Sequence, residues 1–416
     1  DGTFLSSVQV GAIPDMLVFT PDGEKVLVAN EAEPSTDYLN DPEGSVSIID
    51  LRIGKSRFNY PPFQRGVANI TQADVTTAGF TAFNSTPLDS SIRIFGVNAT
   101  VAKDLEPEYI TISADSQTAW VTLQENNAIG ILDISQGAFT SLKGLGFKNH
   151  QLAGNSLDAS DRDGAGGAGL INIANWPVFG MYQPDAIASY RYQGNTYLVT
   201  ANEGDAREYT ALTEERRISA LTLDATAFPN AAALQSNAQL GRLNVTNTRG
   251  DTKGDGDFDA LYVFGARSFS IWDAQVTQVF DSGNQFEQRT ATALPTFFNS
   301  NHDSNASFDT RSDNKGPEPE GVVIGEMFGG AYAFIGLERV GGIMVYDISN
   351  PVNPRFVQYI NNRNFAGNPG TGTAGDLAPE GLIFIPASQS PNGQPLLVSA
   401  NEVSGTVTIF QIQQAP

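Results

Sequence analysis

The sequence predicts an all-β protein, built as a β-propeller, from three observations. A unit recurs five times, made of a proline with an acid, an apolar strand, a turn, a second apolar strand and a terminal glutamate. The apolar stretches are rich in β-branched and aromatic residues and alternate with Gly, Pro, Asn and Asp turns, which is typical of antiparallel strands. No long stretch has the periodicity of an amphipathic helix. Small antiparallel sheets repeated around an axis form a propeller, which leaves only short, protected edges.

Length and composition narrow the range of functions. The chain has 416 residues, and its regularly spaced units predict a single domain over residues 1–416. A net charge of -22 argues against nucleic acid as a partner and favours cations. The absence of cysteine excludes disulfides, thiolate metal sites and cysteine nucleophiles, and two histidines are too few for a His-rich zinc site. No apolar run approaches the roughly 20 residues of a membrane span, so we expect no direct membrane insertion.

The recurring unit is a hairpin of two apolar strands. Its five copies are PDMLVFTPDGEKVLVANE (14–31), PEYITISADSQTAWVTLQE (107–125), QPDAIASYRYQGNTYLVTANEGDAREY (183–209), PEGVVIGEMFGGAYAFIGLE (319–338) and PEGLIFIPASQSPNGQPLLVSANE (379–402).

A third apolar strand follows the terminal glutamates. Six such strands are predicted: GSVSIID (44–50), AIGILD (128–133), ISALTLD (218–224), SFSIWD (268–273), GIMVYD (342–347) and GTVTIFQI (405–412). Fourth strands are predicted at SIRIFGV (91–97) and PRFVQYI (354–360), which makes the unit a four-stranded blade.

Six blades are thus predicted, and a seventh stays open. The segment FLSSVQV (4–10) is expected to pair with the last blade as its fourth strand and close the propeller. Long insertions at residues 52–90, 141–182 and 286–315 are interpreted as surface loops. A seventh blade could lie within them. The Gly-rich stretch at 153–169 is expected to be the most flexible of these loops, with or without a function.

Acidic residues occur at both ends of each recurring hairpin. The start of the first strand and the end of the second lie at the same end of an antiparallel pair, so we expect the acids to share one face. In a propeller this face would be one mouth of the central channel. The predicted pairs are Asp15 with Glu31, Glu108 with Glu125, Asp185 with Glu203, Glu320 with Glu338, and Glu380 with Glu402.

Crowded carboxylates destabilise a fold unless cations neutralise them. Hard cations prefer oxygen ligands, so we predict Ca²⁺ first, then Mg²⁺ or another divalent metal. The alternative is that the glutamates accept backbone N–H groups from the neighbouring blade.

Arginines recur beside these acids. Arg207 and Asp205 follow Glu203, Arg339 follows Glu338, and Arg267 takes the equivalent place in the fourth blade. A guanidinium binds phosphate or carboxylate bidentately, so the three arginines are predicted catalytic residues and Asp205 a further metal ligand. Salt bridges to neighbouring glutamates are the alternative.

A separate acidic segment, DTKGDGDFD, offers a second candidate for calcium. Its ligands would be Asp251, Asp255, Asp257 and Asp259 on a loop bent by glycines, although the spacing is not that of an EF-hand. An acidic turn without metal is the alternative.

Four long segments resemble the bacterial choice-of-anchor I proteins, which are often labelled alkaline phosphatase-like. They are PDAIA…YLVTANEGDAREY, GDGDFDALYVFGARSFSIWD, RSDNKGPEPEGV and LAPEGLIF…LLVSANEVSGTVTIFQI. The resemblance implies a secreted or surface-attached propeller of the broad lactonase-like type, attached through an anchor that is missing from this sequence. Lys253 stands where the family's loop is expected to have an aspartate. The PEG triplets at 319–321 and 379–381 also resemble propeller phytases.

Two functional hypotheses follow. The first is a secreted, calcium-binding propeller with a metal-dependent phosphoesterase site, in which arginines hold a small phosphorylated or anionic substrate and metal-bound water attacks. The second is a non-catalytic extracellular surface or matrix module stabilised by cations. Either would be secreted, extracellular, on the cell surface or in the periplasm. Low charged content supports this location, as do Asn-X-Ser/Thr sequons at Asn69, Asn84, Asn98, Asn244 and Asn305.

Overall fold

A computed structural model describes residues 3–52 and 70–414, and it confirms an all-β protein. Part of the insertion at 52–90, with Asn69, lies outside these residues. Within these residues, α-helix is limited to three short segments, α1 (Val101–Asp104), α2 (Ala231–Leu234) and α3 (Gln285–Ala293). The strands of the described residues are β1 (Pro14–Phe19), β2 (Lys25–Asn30), β3 (Ser45–Asp50), β4 (Val75–Gly79), β5 (Pro107–Ile112), β6 (Thr118–Leu123), β7 (Ala128–Asp133), β8 (Ala138–Gly144), β9 (Phe147–Asn149), β10 (Phe179–Met181), β11 (Ile187–Tyr192), β12 (Asn195–Asn202), β13 (Glu215–Arg217), β14 (Asn244–Thr246), β15 (Tyr262–Val263), β16 (Ser268–Asp273), β17 (Gln278–Asp281), β18 (Pro319–Met327), β19 (Gly330–Leu337), β20 (Ile343–Asp347), β21 (Arg355–Ile360), β22 (Pro379–Ile385), β23 (Leu396–Asn401) and β24 (Thr406–Gln411).

Most strands form antiparallel meanders. Four sheets have four strands, in the orders β1-β2-β3-β4, β5-β6-β7-β8, β11-β12-β16-β17 and β18-β19-β20-β21. The sheet β22-β23-β24 has three. Smaller sheets join β9, β10 and β15, and β13 with β14. Several four-stranded antiparallel sheets are consistent with a propeller-like β structure, and no sheet of the described residues is closed on itself by hydrogen bonds.

The chain divides into two compact units. The smaller comprises Asp1–Leu145 with Tyr209–Leu212, and the larger comprises Gly146–Glu208 with Thr213–Pro416. In the smaller unit, side chains such as Leu27, Phe80 and Leu123 form one apolar core. The larger unit has an apolar cluster around Leu243 and another around Phe334. The prediction of a single domain stays a prediction.

The recurring hairpins share an unusual backbone start. In four of the five hairpins, the residue before the first proline has a positive φ: Ile13 (46°), Gln183 (41°), Glu318 (50°) and Ala378 (56°). A residue before proline normally takes an extended conformation, so this geometry carries strain. In three copies the carbonyl of that residue accepts the N–H of the terminal glutamate, at 2.8–2.9 Å. In these three copies the bond holds the acids at the two ends of the hairpin at the same end of the sheet.

One predicted third strand is wrong. In the segment ISALTLD, residues Ile218–Ala220 form a 3₁₀ turn, and the third strand of the β11–β12 sheet is β16. Residues 203–267, which connect the second strand of this sheet (β12) to the third (β16), form an excursion outside the sheet. The apolar side chains of Ile218 and Leu223 pack into the cluster around Leu243, because the excursion buries them in a core of its own. Five of the six predicted third strands are confirmed, and the blade number stays a prediction.

Two other predicted strands are absent from the described residues. Residues 4–10 are not in a strand, and the last sheet has only three. The N–H and C=O of Gln9 bond instead to the side-chain amide of Gln72, both at 2.9 Å. In SIRIFGV the N–H groups of Phe95 and Gly96 donate to the carboxylate of Asp104, which takes the place of a neighbouring strand.

The predicted surface loops are partly structured. The described part of 52–90 contains β4, the segment 141–182 contains β9 and β10, and 286–315 contains most of α3. Of the helices in the described ranges, none has the length and hydropathy that a membrane crossing requires.

Candidate functional site

Acids from three recurring hairpins converge in the larger unit. Each of the three hairpins begins with one of the strands β11, β18 and β22. Strand β18 contacts both β11 and β22, which brings the ends of the three hairpins together. Burial, together with the charges of Glu203, Glu338, Asp185 and Glu380, raises the pKa of Glu320 to about 11. The Oε2 atom of Glu320 is buried and has no hydrogen-bond partner. These five acids form the Glu320 cluster, and all five are predicted metal ligands.

A lysine ammonium already neutralises one side of this cluster. Carboxylate oxygens of Glu203, Glu318 and Glu338 lie within 4.8 Å of one another. The Nζ atom of Lys315 is 2.8 Å from Glu203 Oε1, 3.3 Å from Glu318 Oε2 and 3.4 Å from Asp205 Oδ1. Burial alone would lower the pKa of Lys315, but these carboxylates raise it well above its ordinary value. Lys315 therefore stays charged and takes the position a metal would need between Glu203 and Glu318.

Glu318 is the centre of the ion-pair network. It is fully buried, and it accepts hydrogen bonds from Arg311 Nε at 2.7 Å and Arg339 Nε at 3.0 Å. Burial would raise the pKa of this carboxyl, but Lys315, Arg311 and Arg339 outweigh it and lower the pKa to about 2. Glu318 is thus an ionised, cation-bound carboxylate.

Arg339 lies in this network as predicted, but carboxylates bind its guanidinium. Its Nε atom is 2.9 Å from Glu338 Oε2 as well as 3.0 Å from Glu318. Its Nη1 atom is 3.1 Å from the ring of His302, and His302 Nδ1 is 3.1 Å from Glu338 Oε1. The salt-bridge alternative therefore describes the geometry of Arg339.

The structure places Arg267 in a different environment. Its buried guanidinium forms an ion pair with Glu287 at 2.6 Å. It also donates to the carbonyls of Asp158 (2.7 Å), Ser312 (2.9 Å) and Asn314 (2.6 Å). The carbonyls of Ser312 and Asn314 belong to the segment that carries Lys315, so Arg267 stabilises the position of that segment.

Arg207 is almost fully buried. Its backbone N–H donates to the Glu214 carboxylate at 3.1 Å, and its carbonyl accepts the N–H of Glu214 at 3.1 Å. Asp205, two residues earlier, is exposed and faces Lys315. Glu402 is exposed at the end of β23. The catalytic role of Arg207 stays a prediction.

The smaller unit holds the other acids predicted at hairpin ends. Asp15 and Glu31 lie at the open end of the β1–β2 hairpin, and Glu108 and Glu125 are buried at the end of β5–β6. Tyr209 donates its hydroxyl to Glu33 at 2.7 Å. Burial and the charges of Glu33, Glu106 and Glu125 raise the pKa of this phenol well above its ordinary value.

The aspartate-rich loop carries its own cation. Asp224, Asp257 and Asp259 offer oxygens within 4.8 Å of one another, and Lys253 Nζ lies 2.6 Å from Asp224 and also contacts Asp259. Asp251 accepts the N–H groups of Gly254, Asp255 and Gly256 from its own loop. Asp255 is exposed. The lysine that stands in place of an expected aspartate therefore neutralises part of the loop's negative charge.

Four residues of the network are not among the sequence-predicted site residues: His302, Arg311, Lys315 and Glu318. Three of them lie in the segment RSDNKGPEPEGV or directly before β18. The sequence did contain a signal for Glu318, because this residue lies directly before Pro319 and Glu320 directly after it, so an acid flanks the proline on both sides. Nothing in the sequence shows that Lys315 turns toward Glu203, 112 residues away.

Comparison with known proteins identifies the family. The model of the choice-of-anchor I domain matches residues 1–351. The chain belongs to the choice-of-anchor I family. Its relatives include Gigasin-3a of Magallana gigas, 32% identical over 192 residues, a match that covers 44% of this chain and 67% of that protein. The mesenchyme-specific cell surface glycoprotein of Strongylocentrotus purpuratus is 27% identical over 286 residues, covering 60% of this chain and 36% of that protein. The alkaline-phosphatase likeness has no support in these matches.

Solved structures similar to this member of the choice-of-anchor I family are distant. The WD40 domain of Toxoplasma gondii coronin has 8% identity and a TM-score of 0.35, covering 97% of this chain and 70% of that one. The periplasmic gluconolactonase of Pseudomonas aeruginosa has 11% identity and a TM-score of 0.32, covering 96% and 81%.

Proposed function

We propose that this choice-of-anchor I protein is an extracellular surface module that binds a divalent cation, Ca²⁺ before Mg²⁺, at the Glu320 cluster. In this proposal the antiparallel sheets are blades of one β-propeller, and the cation stabilises the fold. Family membership and similarity to a cell surface glycoprotein support the location. Two of the predicted sequon residues, Asn84 and Asn98, are exposed, as glycosylation would require.

The observation that carries the proposal is the environment of Glu320. Its Oε2 atom is buried without a hydrogen-bond partner, and four further acids raise its pKa. Lys315 and Arg339 do not neutralise Glu320, because they form their ion pairs with Glu203, Glu318 and Glu338. An uncompensated buried carboxylate is costly, and oxygen-rich acidic sites are those that Ca²⁺ prefers. Glu320 therefore takes either a proton or a metal ion.

We expect Ca²⁺ to stabilise the native protein and Glu320→Gln to reduce that stabilisation. At a free Ca²⁺ concentration 100 times the dissociation constant, mass action adds about 2.7 kcal/mol to the free energy of unfolding. In chelator, Glu320→Gln should unfold close to wild type, because the raised pKa keeps Glu320 protonated at neutral pH. Thermal unfolding with EDTA and with millimolar Ca²⁺ measures both effects.

The exposed Glu326 on the same strand provides the matched control, and Glu326→Gln should respond to Ca²⁺ as wild type does. An equal Ca²⁺ response in Glu320→Gln and wild type would contradict a cation at this carboxylate.

A metal-dependent phosphoesterase is the second candidate, and one observation favours it. Burial raises the pKa of Glu203 to about 7, a value suited to general acid–base chemistry at neutral pH. Under this candidate, calcium-loaded protein should hydrolyse 4-nitrophenyl phosphate. Arg339→Ala and Arg207→Ala should each lose about 100-fold or more in kcat/KM while staying folded, since charge stabilisation of this kind supplies a few kcal/mol. If the calcium-loaded wild type hydrolyses none of this substrate, the phosphoesterase candidate is rejected and the non-catalytic surface module remains.

A further inference from the structure

The strand β24 forms an open edge of the last sheet. That sheet has three strands, whereas four other sheets have four. In an antiparallel pair, opposed residues alternate between pairs that exchange backbone hydrogen bonds and pairs that do not. The N–H of Ile412 donates to the carbonyl of Pro395 at 2.9 Å, so every second residue back from Ile412 bonds to β23. The backbone groups of Val407, Ile409 and Gln411 therefore point away from β23, and no strand of the described residues pairs with them.

The edge of β24 also lacks the features that usually protect a sheet edge. Charged side chains and β-bulges keep an edge strand from pairing with another chain. The fourth strands β8, β17 and β21 have both, because each joins its sheet with a register shift and each carries one charged residue, respectively Lys143, Asp281 and Arg355. By contrast, β24 has no charged residue, no proline and no register shift. Its Val407 and Ile409 side chains are 68% and 64% exposed.

The last sheet is nearly neutral in a strongly acidic protein. Residues 381–414 contain one charged side chain, Glu402, whereas the whole chain has 46 acidic and 24 basic residues. Two copies of the chain, each with a net charge of -22, repel each other where acidic surfaces meet. They approach with least repulsion along a neutral strand. A cationic partner would be attracted to the acidic surfaces instead, so the neutrality of this edge favours a second copy as its occupant.

Side-chain hydrogen bonds fix β24 in position. The hydroxyls of Thr406 and Thr408 donate to the two oxygens of Asp376, at 2.8 and 2.6 Å. Asp376 lies before β22, so these bonds connect the edge strand to the start of its own sheet. A strand that is already ordered loses little conformational entropy when it binds.

We propose that β24 pairs antiparallel with β24 of a second copy of the chain, so that the two last sheets form one continuous sheet. The backbone groups of Val407, Ile409 and Gln411 then bond across a two-fold axis, as in strand addition to a sheet edge. This contact is self-complementary and occupies both edges, so assembly stops at two copies. The contact lies at the side of the sheet, and packing over the sheet faces leaves it accessible. Of the Glu320 cluster only Glu380 lies in this sheet, on β22, which is separated from β24 by β23.

Sedimentation velocity of the full chain tests the pairing. We expect a reversible monomer–dimer equilibrium at concentrations up to about 0.5 mM, because small interfaces form weak complexes. Ile409→Lys places a positive charge of each copy near the axis, and the dissociation constant of the dimer should rise about tenfold or more, since facing like charges are unfavourable. Val357→Lys is the matched control, because Val357 is 49% exposed on β21. This variant should dimerise as wild type does.

Disulfide trapping gives an independent measurement, because the chain has no cysteine. Ile409→Cys should form a covalent dimer under mild oxidation, and Val357→Cys should stay monomeric. If Ile409→Lys does not fold by circular dichroism, Val407→Lys replaces it with the same expected outcome. A wild type that is monomeric over the whole range, assemblies larger than a dimer, or equal dissociation constants for the two lysine variants would each overturn the proposal.

Residues 4–10 of the same chain are the competing occupant of this edge. In the structure they are not in a strand, and Gln9 bonds to Gln72. Removal of residues 1–10 should therefore leave the dissociation constant of the dimer unchanged. If only the truncated protein dimerises, residues 4–10 cover β24 in the full chain, and the second copy is not its occupant.

Discussion

Replacing Glu318 by alanine is expected to lower the free energy of unfolding by about 3–5 kcal/mol, the range for removing one partner of a buried ion pair. The side chain is fully buried and binds Arg311, Lys315 and Arg339. Its removal leaves three partly or fully buried cations with less compensation. Urea unfolding followed by tryptophan fluorescence measures the change.

The same carboxylate predicts a loss of stability in acid. Its pKa is about 2 in the folded protein, below the ordinary value of 4.5, so the folded state binds this proton less readily than the unfolded state. Its contribution is complete above pH 4.5 and is lost as the pH falls toward 2. Glu318→Ala should therefore have a flatter stability profile in that window. A loss below about 1 kcal/mol, equal to that of the exposed Glu326→Ala, would show that the network contributes little.

Replacing Arg267 by methionine is the second large effect, and we expect a loss of about 3–5 kcal/mol. The guanidinium is buried and binds Glu287 and three backbone carbonyls. Methionine keeps much of the volume but leaves an unpaired buried carboxylate and carbonyls without donors. Urea unfolding of Arg267→Met, Glu287→Gln and the double variant gives the coupling between the two side chains.

That coupling should fall between 0.5 and about 3 kcal/mol, as for contacting residues in one network. The matched control is Arg216→Ala, because Arg216 is exposed and its Nη1 donates only to the carbonyl of its neighbour Glu215. Additive effects of Arg267→Met and Glu287→Gln would show that the ion pair does not hold this region together.

The hairpins and the convergence of acids could be predicted because both depend on local patterns. Proline, an acid and alternating apolar residues define each hairpin, and antiparallel pairing then brings Glu320 and Glu338 to the same end. The partners of those acids could not be predicted. Lys315 reaches Glu203 from a distant segment, and no periodicity encodes that contact. The same limit explains why the prediction of a strand at ISALTLD was wrong. This segment has a strand-like pattern, but its apolar side chains pack into a core formed within the excursion.

The prediction that residues 4–10 form a closing strand was wrong for a related reason. Residues 4–10 have a strand-like sequence, yet a side-chain amide can satisfy backbone groups as well as a neighbouring strand does, and Gln72 does so for Gln9. Strand propensity describes what a segment can form, whereas the available partners decide what it forms.

The excursion between β12 and β16 sets an order of folding. Leu123 and Ala128 pair across a tight turn, whereas Asn202 pairs with Ser268, 66 positions along the chain. Loop-closure entropy grows with the logarithm of loop length, so closing this pair costs about 2 kcal/mol more than closing the turn. Prior collapse of the apolar cluster around Leu243 would shorten the effective loop. The β11–β12 hairpin can form early across its own short turn, whereas β16 and β17 should be the last strands to join this sheet.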